Sequence, residues 1–364
     1  MKLEKYNNVT SFMIAFGLIL FIWHNPYQPF IEYIFLPWIG LLLLILGELL
    51  VITNSWKELT MGSKWVWIPL LVIALSIGVS GLGVVGVKEQ LSSVAMGAVF
   101  FGLYPVSRYL GRRIYKPFIW AVVIECASII IYGATHNWMR TGGLLSPTNY
   151  DIATGFLFVS VLVSSYKHQW WLATISVISL YVAGSAEALF CTFIMVIAMM
   201  IRKDWDKKAW IMLSIVAVCV IITFATGIDK ILLWQTYDKV EYLQAGEPLE
   251  RTLNRVYDLH PLRFFGYGLN ITEFYETIPH NIVLIIIEQA GFIPVIAWFV
   301  VSLYLAIKTR WHYLWIAFIS LGVWDHFIWT QAAPYFWVLC GVSSLNDIGS
   351  DLIFRRIDAQ SNRD

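Results

Sequence analysis

Apolar runs separated by short polar breaks fall near 9–23, 31–53, 65–86, 91–110, 117–135, 150–166, 169–183, 185–201, 208–227, 281–307, 312–330 and 333–349. Most approach the roughly 20 residues an α-helix needs to cross a bilayer. The pattern therefore predicts twelve membrane helices in a single domain spanning 1–364. The stretch from 169 to 201 is too long for one span, and Gly184-Ser185 with Glu187 interrupts it, which predicts a turn there. One connection is long, about 228–279, between the ninth and tenth helices. A structureless loop of that size is unusual, so it is expected to hold helical pieces, with 249–259 reading as a short amphipathic helix, and to carry function. The first run follows Lys2 and Lys5 as in a signal peptide, yet no small-residue cleavage pattern precedes His24-Asn25-Pro26, so it reads as a retained helix.

Composition agrees: 59% of residues are hydrophobic and 13% charged, which gives an all-α integral membrane protein. The net charge of +1 does not point to nucleic acid; what matters is how the charge divides between the two sides. With the amino terminus in the cytoplasm, alternate loops gather 18 of the 25 Lys and Arg residues on the inner side. Lys88, Arg140, Lys230, Lys239, Arg251, Arg255 and Arg263 remain outside. Basic residues in short loops near helix ends favour the cytoplasm, so both termini are expected inside and the 228–279 loop outside. Cys126, Cys191, Cys219 and Cys340 all lie in apolar runs without paired ligand spacing, which argues against a disulfide framework or a zinc site.

Candidate chemistry concentrates between Arg251 and Pro294. A loop bearing Arg251, Arg255 and Arg263 runs through His260-Pro261 and Gly266-Tyr267-Gly268 into Pro279-His280-Asn281, then directly into an apolar helix broken at Gly291. Cations and an imidazole thus gather where a membrane helix begins, and the bilayer penalises burying such groups without use. Asp325 and His326 fall near the outer half of the eleventh helix, where they either line the same cavity or pair between helices. Glu125 sits near the middle of the fifth helix with no partner evident in sequence, and Glu288 reads as structural. The many tryptophans fit an interfacial aromatic belt. No internal repeat or low-complexity segment is present.

His280-Asn281, nine residues, then Gly291 resembles the H-[NSQ]-x9-G-x-x-[GTY] motif of the O-antigen ligase and O-antigen polymerase superfamily, with Pro294 departing at the last position. Leu259-His260-Pro261-Leu262 followed by Gly266-Tyr267-Gly268-Leu269 is similar to that family's stretch before the histidine. Arg140-Thr141-Gly142-Gly143 with Ser146-Pro147-Thr148-Asn149 is similar to its entry into a middle helix. The resemblance covers roughly 140–345 and includes the twelve-helix plan. Where many members carry Ser-Arg-Gly, this chain has Ser185-Ala186-Glu187.

The resemblance implies an enzyme that moves a glycan from an undecaprenyl pyrophosphate donor to a hydroxyl acceptor on the outer face of the bacterial inner membrane. It implies His280 as the base and a loop carrying part of the active site. Guanidinium groups hold phosphate oxygens through paired hydrogen bonds, so Arg251 and Arg255, spaced i, i+4, and Arg140 are the expected pyrophosphate ligands. With three cations available, no metal and no other cofactor is expected. Asn281 is expected to cap the helix or orient the histidine; Glu187 and Asn149 are further site-lining candidates, Glu187 toward the acceptor sugar. The reading leans to a polysaccharide polymerase. The alternatives are a ligase acting on lipid A-core or protein, a lipid-linked glycan flippase, and a non-catalytic envelope subunit. Partners would be the lipid-linked glycan, its acceptor, membrane lipid, and a flippase or chain-length regulator.

Overall fold

The computed structural model describes residues 2–22, 35–59, 63–83, 85–138, 150–201, 207–227, 264–268, 281–309, 312–324, 329 and 333–344. Among them every regular element is helical: α1 Lys2–Ile22, α2 Phe35–Leu59, α3 Lys64–Val79, α4 Val87–Leu110, α5 Tyr115–Thr135, α6 Tyr150–Tyr166, α7 Trp170–Val182, α8 Ala186–Ile201, α9 Lys207–Thr226, α10 Ile282–Ala290, α11 Phe292–Lys308, α12 His312–Trp324 and α13 Ala333–Ser344. A 3₁₀ turn, Gly111–Ile114, joins α4 to α5. Each apolar run contains a helix. The tenth run holds two, α10 and α11, which meet at Gly291, and the long run over 169–201 turns at Gly184 (φ 71°). The expected helix over 249–259 lies outside the described residues.

Among the described residues, three segments are long and apolar enough to cross a membrane: Val87–Leu110, Phe118–Thr135 and Lys207–Thr226. Large apolar side chains also face outward, among them Leu75, Leu91, Ile124, Ile131, Phe193, Ile221 and Ile307. Water would penalise so much exposed hydrocarbon, whereas lipid would not. Helix α9 is the extreme case, with only Ala209 and Met212 buried. It leans on α7, where the Tyr181 and Thr223 hydroxyls are 2.6 Å apart.

Small residues let the backbones approach closely, as in membrane bundles generally. Gly17 faces the Gly40 carbonyl, Gly97 the Ala74 carbonyl, and Gly341 the Tyr104 carbonyl and the Ser107 hydroxyl. Hydroxyl pairs add interhelical bonds, such as Ser160 to Ser176 at 2.8 Å. Glu125 is 3% exposed, and the Ser128 hydroxyl donates to its Oε2 at 3.3 Å, which supplies a partner the sequence had not revealed. Cys126, Cys191 and Cys340 are buried free thiols and Cys219 is partly buried.

These contacts fix helix directions. Helix α4 runs antiparallel to α3 and parallel to α13, since Phe100 stacks near Trp337 and Ser107 meets Gly341. Ser63, just before α3, donates to the Tyr304 hydroxyl late in α11 at 2.9 Å, so α3 and α11 are antiparallel. The 3₁₀ turn sends the chain back, and α5 passes the head of α13, where the Phe118 and Tyr335 rings lie 6.3 Å apart. Helices α5 and α7 are parallel, joined near their starts by Tyr115 and Gln169 at 2.8 Å and near their ends by Gly133 against Val182. One end of the bundle therefore gathers the α3–α4 turn, the α7–α8 turn, the ends of α5, α7 and α9, and the break between α10 and α11, while Ile282 at the start of α10 packs against Gly322 of α12.

Candidate functional site

Two of the polar breaks meet at this end. Helix α10 is nine residues long, Ile282–Ala290, and it alone fills the interval between Asn281 and Gly291. Asn281 has an extended backbone, and its Oδ1 accepts from the Val283 N–H at 2.9 Å and the Leu284 N–H at 3.3 Å. These are donors that a helix start leaves without intrahelical partners, so Asn281 is the cap.

The other end of α10 leaves carbonyls without partners, and each of the next groups in space answers them. The Gly291 N–H donates to the Ile286 and Ile287 carbonyls, both at 3.0 Å. The Tyr267 N–H donates to the Glu288 carbonyl at 2.7 Å, and the Gly268 N–H to the Gln289 carbonyl at 3.1 Å. The segment Phe264–Gly268 is thereby clamped onto the break between α10 and α11. Gly291 adopts φ 93°, and the Phe264 carbonyl occupies the space where a Cβ would stand. Gly266 (φ 63°) presses on the peptide joining Gln289 to Ala290, so a Cβ there would lie 2.5 Å from the Ala290 nitrogen. From the opposite side, the Tyr267 carbonyl would be 2.9 Å from a Cβ on Gly81, in the α3–α4 turn. The Trp329 indole N–H donates to Gln289 Oε1 at 2.8 Å and ties in the connection between α12 and α13. Glu288 is fully buried.

The turn before α8 forms a second part of this end. The Ser185 hydroxyl accepts from the Ala188 N–H at 3.4 Å. Glu187 stands half-buried in the first turn of α8, where a carboxylate is favoured by the helix dipole. Against this turn lies the end of α5. The Trp138 N–H donates to the Gly133 carbonyl at 2.7 Å, and Asn137 and Trp138 both have left-handed backbones, φ 54° and 60°. The Trp138 ring closes over Gly133, so that a Cβ there would sit 3.1 Å from Trp138 Cε3 and 3.0 Å from Val182 Cγ1.

Of the residues expected from sequence to form the site, the structure describes Asn281, the cap of α10, and Glu187, in the first turn of α8. Arg140, Asn149, Arg251, Arg255, His280, Asp325 and His326 lie outside the described residues. His136, four positions before Arg140, was not singled out by the sequence. Its ring stacks on that of Tyr132, with centroids 3.9 Å apart and planes 7° apart. The only available signal was its place in the polar break between two apolar runs. Among the described residues no group of three or more His, Cys, Asp or Glu side chains is arranged to hold a metal ion.

The cap is testable apart from chemistry. Asn281→Ala is expected to destabilise the protein by about 1 kcal/mol, the usual cost of losing an N-cap side chain, and Asn281→Ser to recover most of it. Thermal unfolding in detergent measures both. If the serine variant matched wild type in stability yet lost function, Asn281 would act on substrate rather than only on the helix. Compared with models of known protein families and with curated protein sequences, the chain matches none.

Proposed function

We propose that this chain is a metal-independent membrane glycosyltransferase of the O-antigen polymerase type. It takes a glycan from an undecaprenyl pyrophosphate donor and transfers it to a sugar hydroxyl. The reading carries twelve spans, with the tenth in the α10–α11 stretch, and places the end bearing the α3–α4 turn, the α10–α11 break and Glu187 outside the bacterial inner membrane, with both termini in the cytoplasm. Support for this orientation comes from charge: Lys64, Arg108, Arg113, Lys167, Lys207, Lys208 and Lys308 all belong to the opposite end, against Lys88 at this one. Such an excess of basic residues marks the cytoplasmic side.

The observation that carries the proposal is the clamp between Phe264–Gly268 and the α10–α11 break. It joins the glycine-rich stretch to the end of the nine-residue helix, and that helix begins two residues after His280. A general base must be held within hydrogen-bond reach of the hydroxyl it deprotonates, and a helix start fixed at both ends provides such a mount. The roles follow from the chemistry of each group. His280, an imidazole whose ordinary pKa lies near neutrality, takes the proton of the attacking hydroxyl. Arg251, Arg255 and Arg140 bind the pyrophosphate as it leaves with its added negative charge. Glu187 accepts hydrogen bonds from the acceptor sugar.

Purified protein in liposomes, supplied with an undecaprenyl pyrophosphate-linked glycan and EDTA, is expected to lengthen the glycan at the rate seen without chelator. Loss of turnover restored by added divalent metal would overturn the arginine-based account. Absence of any transfer with or without metal would overturn the enzyme reading itself.

A further inference from the structure

At the end of α5, His136 follows the last turn of the apolar span Phe118–Thr135 and is exposed, as are Tyr132 and Asn137. The imidazole is held in one orientation. Its face lies on the Tyr132 ring, and its Nδ1 is 2.9 Å from the Thr135 hydroxyl and 3.1 Å from the Tyr132 carbonyl. The Tyr132 carbonyl can only accept. The Thr135 hydroxyl has one proton, and it points to the Ile131 carbonyl at 2.8 Å or the Tyr132 carbonyl at 3.1 Å. Toward His136 it therefore accepts as well. Two acceptors facing Nδ1 require the proton there, which leaves Nε2 of the neutral ring with its lone pair. No described residue donates to Nε2.

A ring fixed in this way presents an acceptor beside an aromatic face. An acceptor of this kind calls for a ligand that donates a hydrogen bond, and a bare hydrocarbon gains nothing from it. A sugar ring suits both features, since its hydroxyls donate hydrogen bonds and its C–H face packs on aromatic surface. The location agrees: Trp138 packs this end of α5 against Val182, two residues from Gly184 and five from Glu187. Glu187 and His136 are both acceptors, and Arg140 lies two residues after Trp138.

We infer that Tyr132 and His136 form a sugar-binding subsite in which His136 Nε2 accepts a hydrogen bond from a hydroxyl of the glycan. The subsite rests on the glycan-transfer reading and deepens it, for it assigns substrate recognition to a helix end outside the 228–279 loop. His136 binds and orients; the proton transfer stays with His280. Helix capping alone would require only Nδ1, because that nitrogen makes both bonds to the helix.

The two nitrogens can be separated by amide isosteres. His136→Asn puts an amide nitrogen near the Nδ1 position and keeps the donor to the Tyr132 carbonyl, while His136→Gln reaches toward Nε2. The probe is the native cell's own surface polysaccharide, released from its anchor by mild acid and followed by saturation-transfer NMR on the full-length protein in detergent. Wild type and His280→Ala are expected to saturate the glycan. His136→Asn should weaken this by about tenfold, the scale of one lost hydrogen bond, with an unchanged melting temperature, and His136→Gln should restore part of it. A wild-type signal in His136→Asn, or no signal in wild type, overturns the subsite. Glycan transfer in liposomes is measured in parallel: wild-type transfer with an unaffected His136→Asn removes the subsite and leaves the enzyme reading standing. Absent transfer with a His136-dependent NMR signal removes the enzyme reading and leaves a glycan-binding protein.

Discussion

His280→Ala is expected to abolish detectable glycan transfer while the protein still binds the undecaprenyl pyrophosphate donor. Removing a general base costs about 10²–10⁴ in the chemical step, because its interaction with the hydroxyl proton strengthens only as the transition state is reached. Donor binding does not depend on that proton. The arginines should behave differently, since pyrophosphate is already anionic in the ground state and gains charge as the bond breaks. Arg255→Ala and Arg251→Ala are thus expected to weaken both donor binding and turnover. Lysine should not fully rescue either, because an ammonium lacks the paired, planar donors of guanidinium. Single-turnover transfer and donor retention in detergent separate the two quantities, with elution from a sizing column confirming that each variant is folded. Near wild-type transfer by His280→Ala would remove the central residue of the proposal and return the flippase alternative to contention.

Gly291→Ala is expected to produce the largest structural loss. Its backbone sits at φ 93°, a conformation that costs a residue with a side chain about 1–3 kcal/mol, and the new methyl would occupy the place of the Phe264 carbonyl. Either the helix break or the Phe264–Gly268 segment must move. Moving the segment forfeits the bonds from Tyr267 and Gly268 to the Glu288 and Gln289 carbonyls, each contributing about 1 kcal/mol. A fall in stability of at least about 2 kcal/mol is expected, with loss of glycan transfer. Ile293→Ala, on the exposed face of α11, serves as the control and should leave both unchanged. Thermal unfolding and transfer in liposomes give the two readouts. If Gly291→Ala kept wild-type stability and activity, the clamp would not position the site.

The sequence by itself determined the helices. Apolar runs bounded by polar or glycine breaks locate the described helices, closely at the breaks of Gly184 and Gly291 and less so at Lys2, Leu59 and Val79, where helix ends depart by about six or seven residues from the runs, because helix formation is a local matter: each helix satisfies its own backbone along its own length. The same locality made Asn281 legible as a cap, since its partners, Val283 and Leu284, are two and three residues away. The glycine pattern at Gly266 and Gly268 was visible too, yet not its purpose. Only the tertiary structure showed that these glycines fit against Gln289 and that the carbonyls freed at the end of α10 receive the Tyr267 and Gly268 donors. It also brought the end of α5 against the turn that carries Glu187, with Gly133 packed on Val182. His136 escaped notice for a related reason. A lone histidine in a polar break carries no periodic signal, and its orientation comes from the folding of Tyr132, Thr135 and Trp138 around the helix end. Periodicity encodes where a helix buries its face, whereas the match between an unpaired carbonyl and a distant N–H depends on which helix ends the packing brings together.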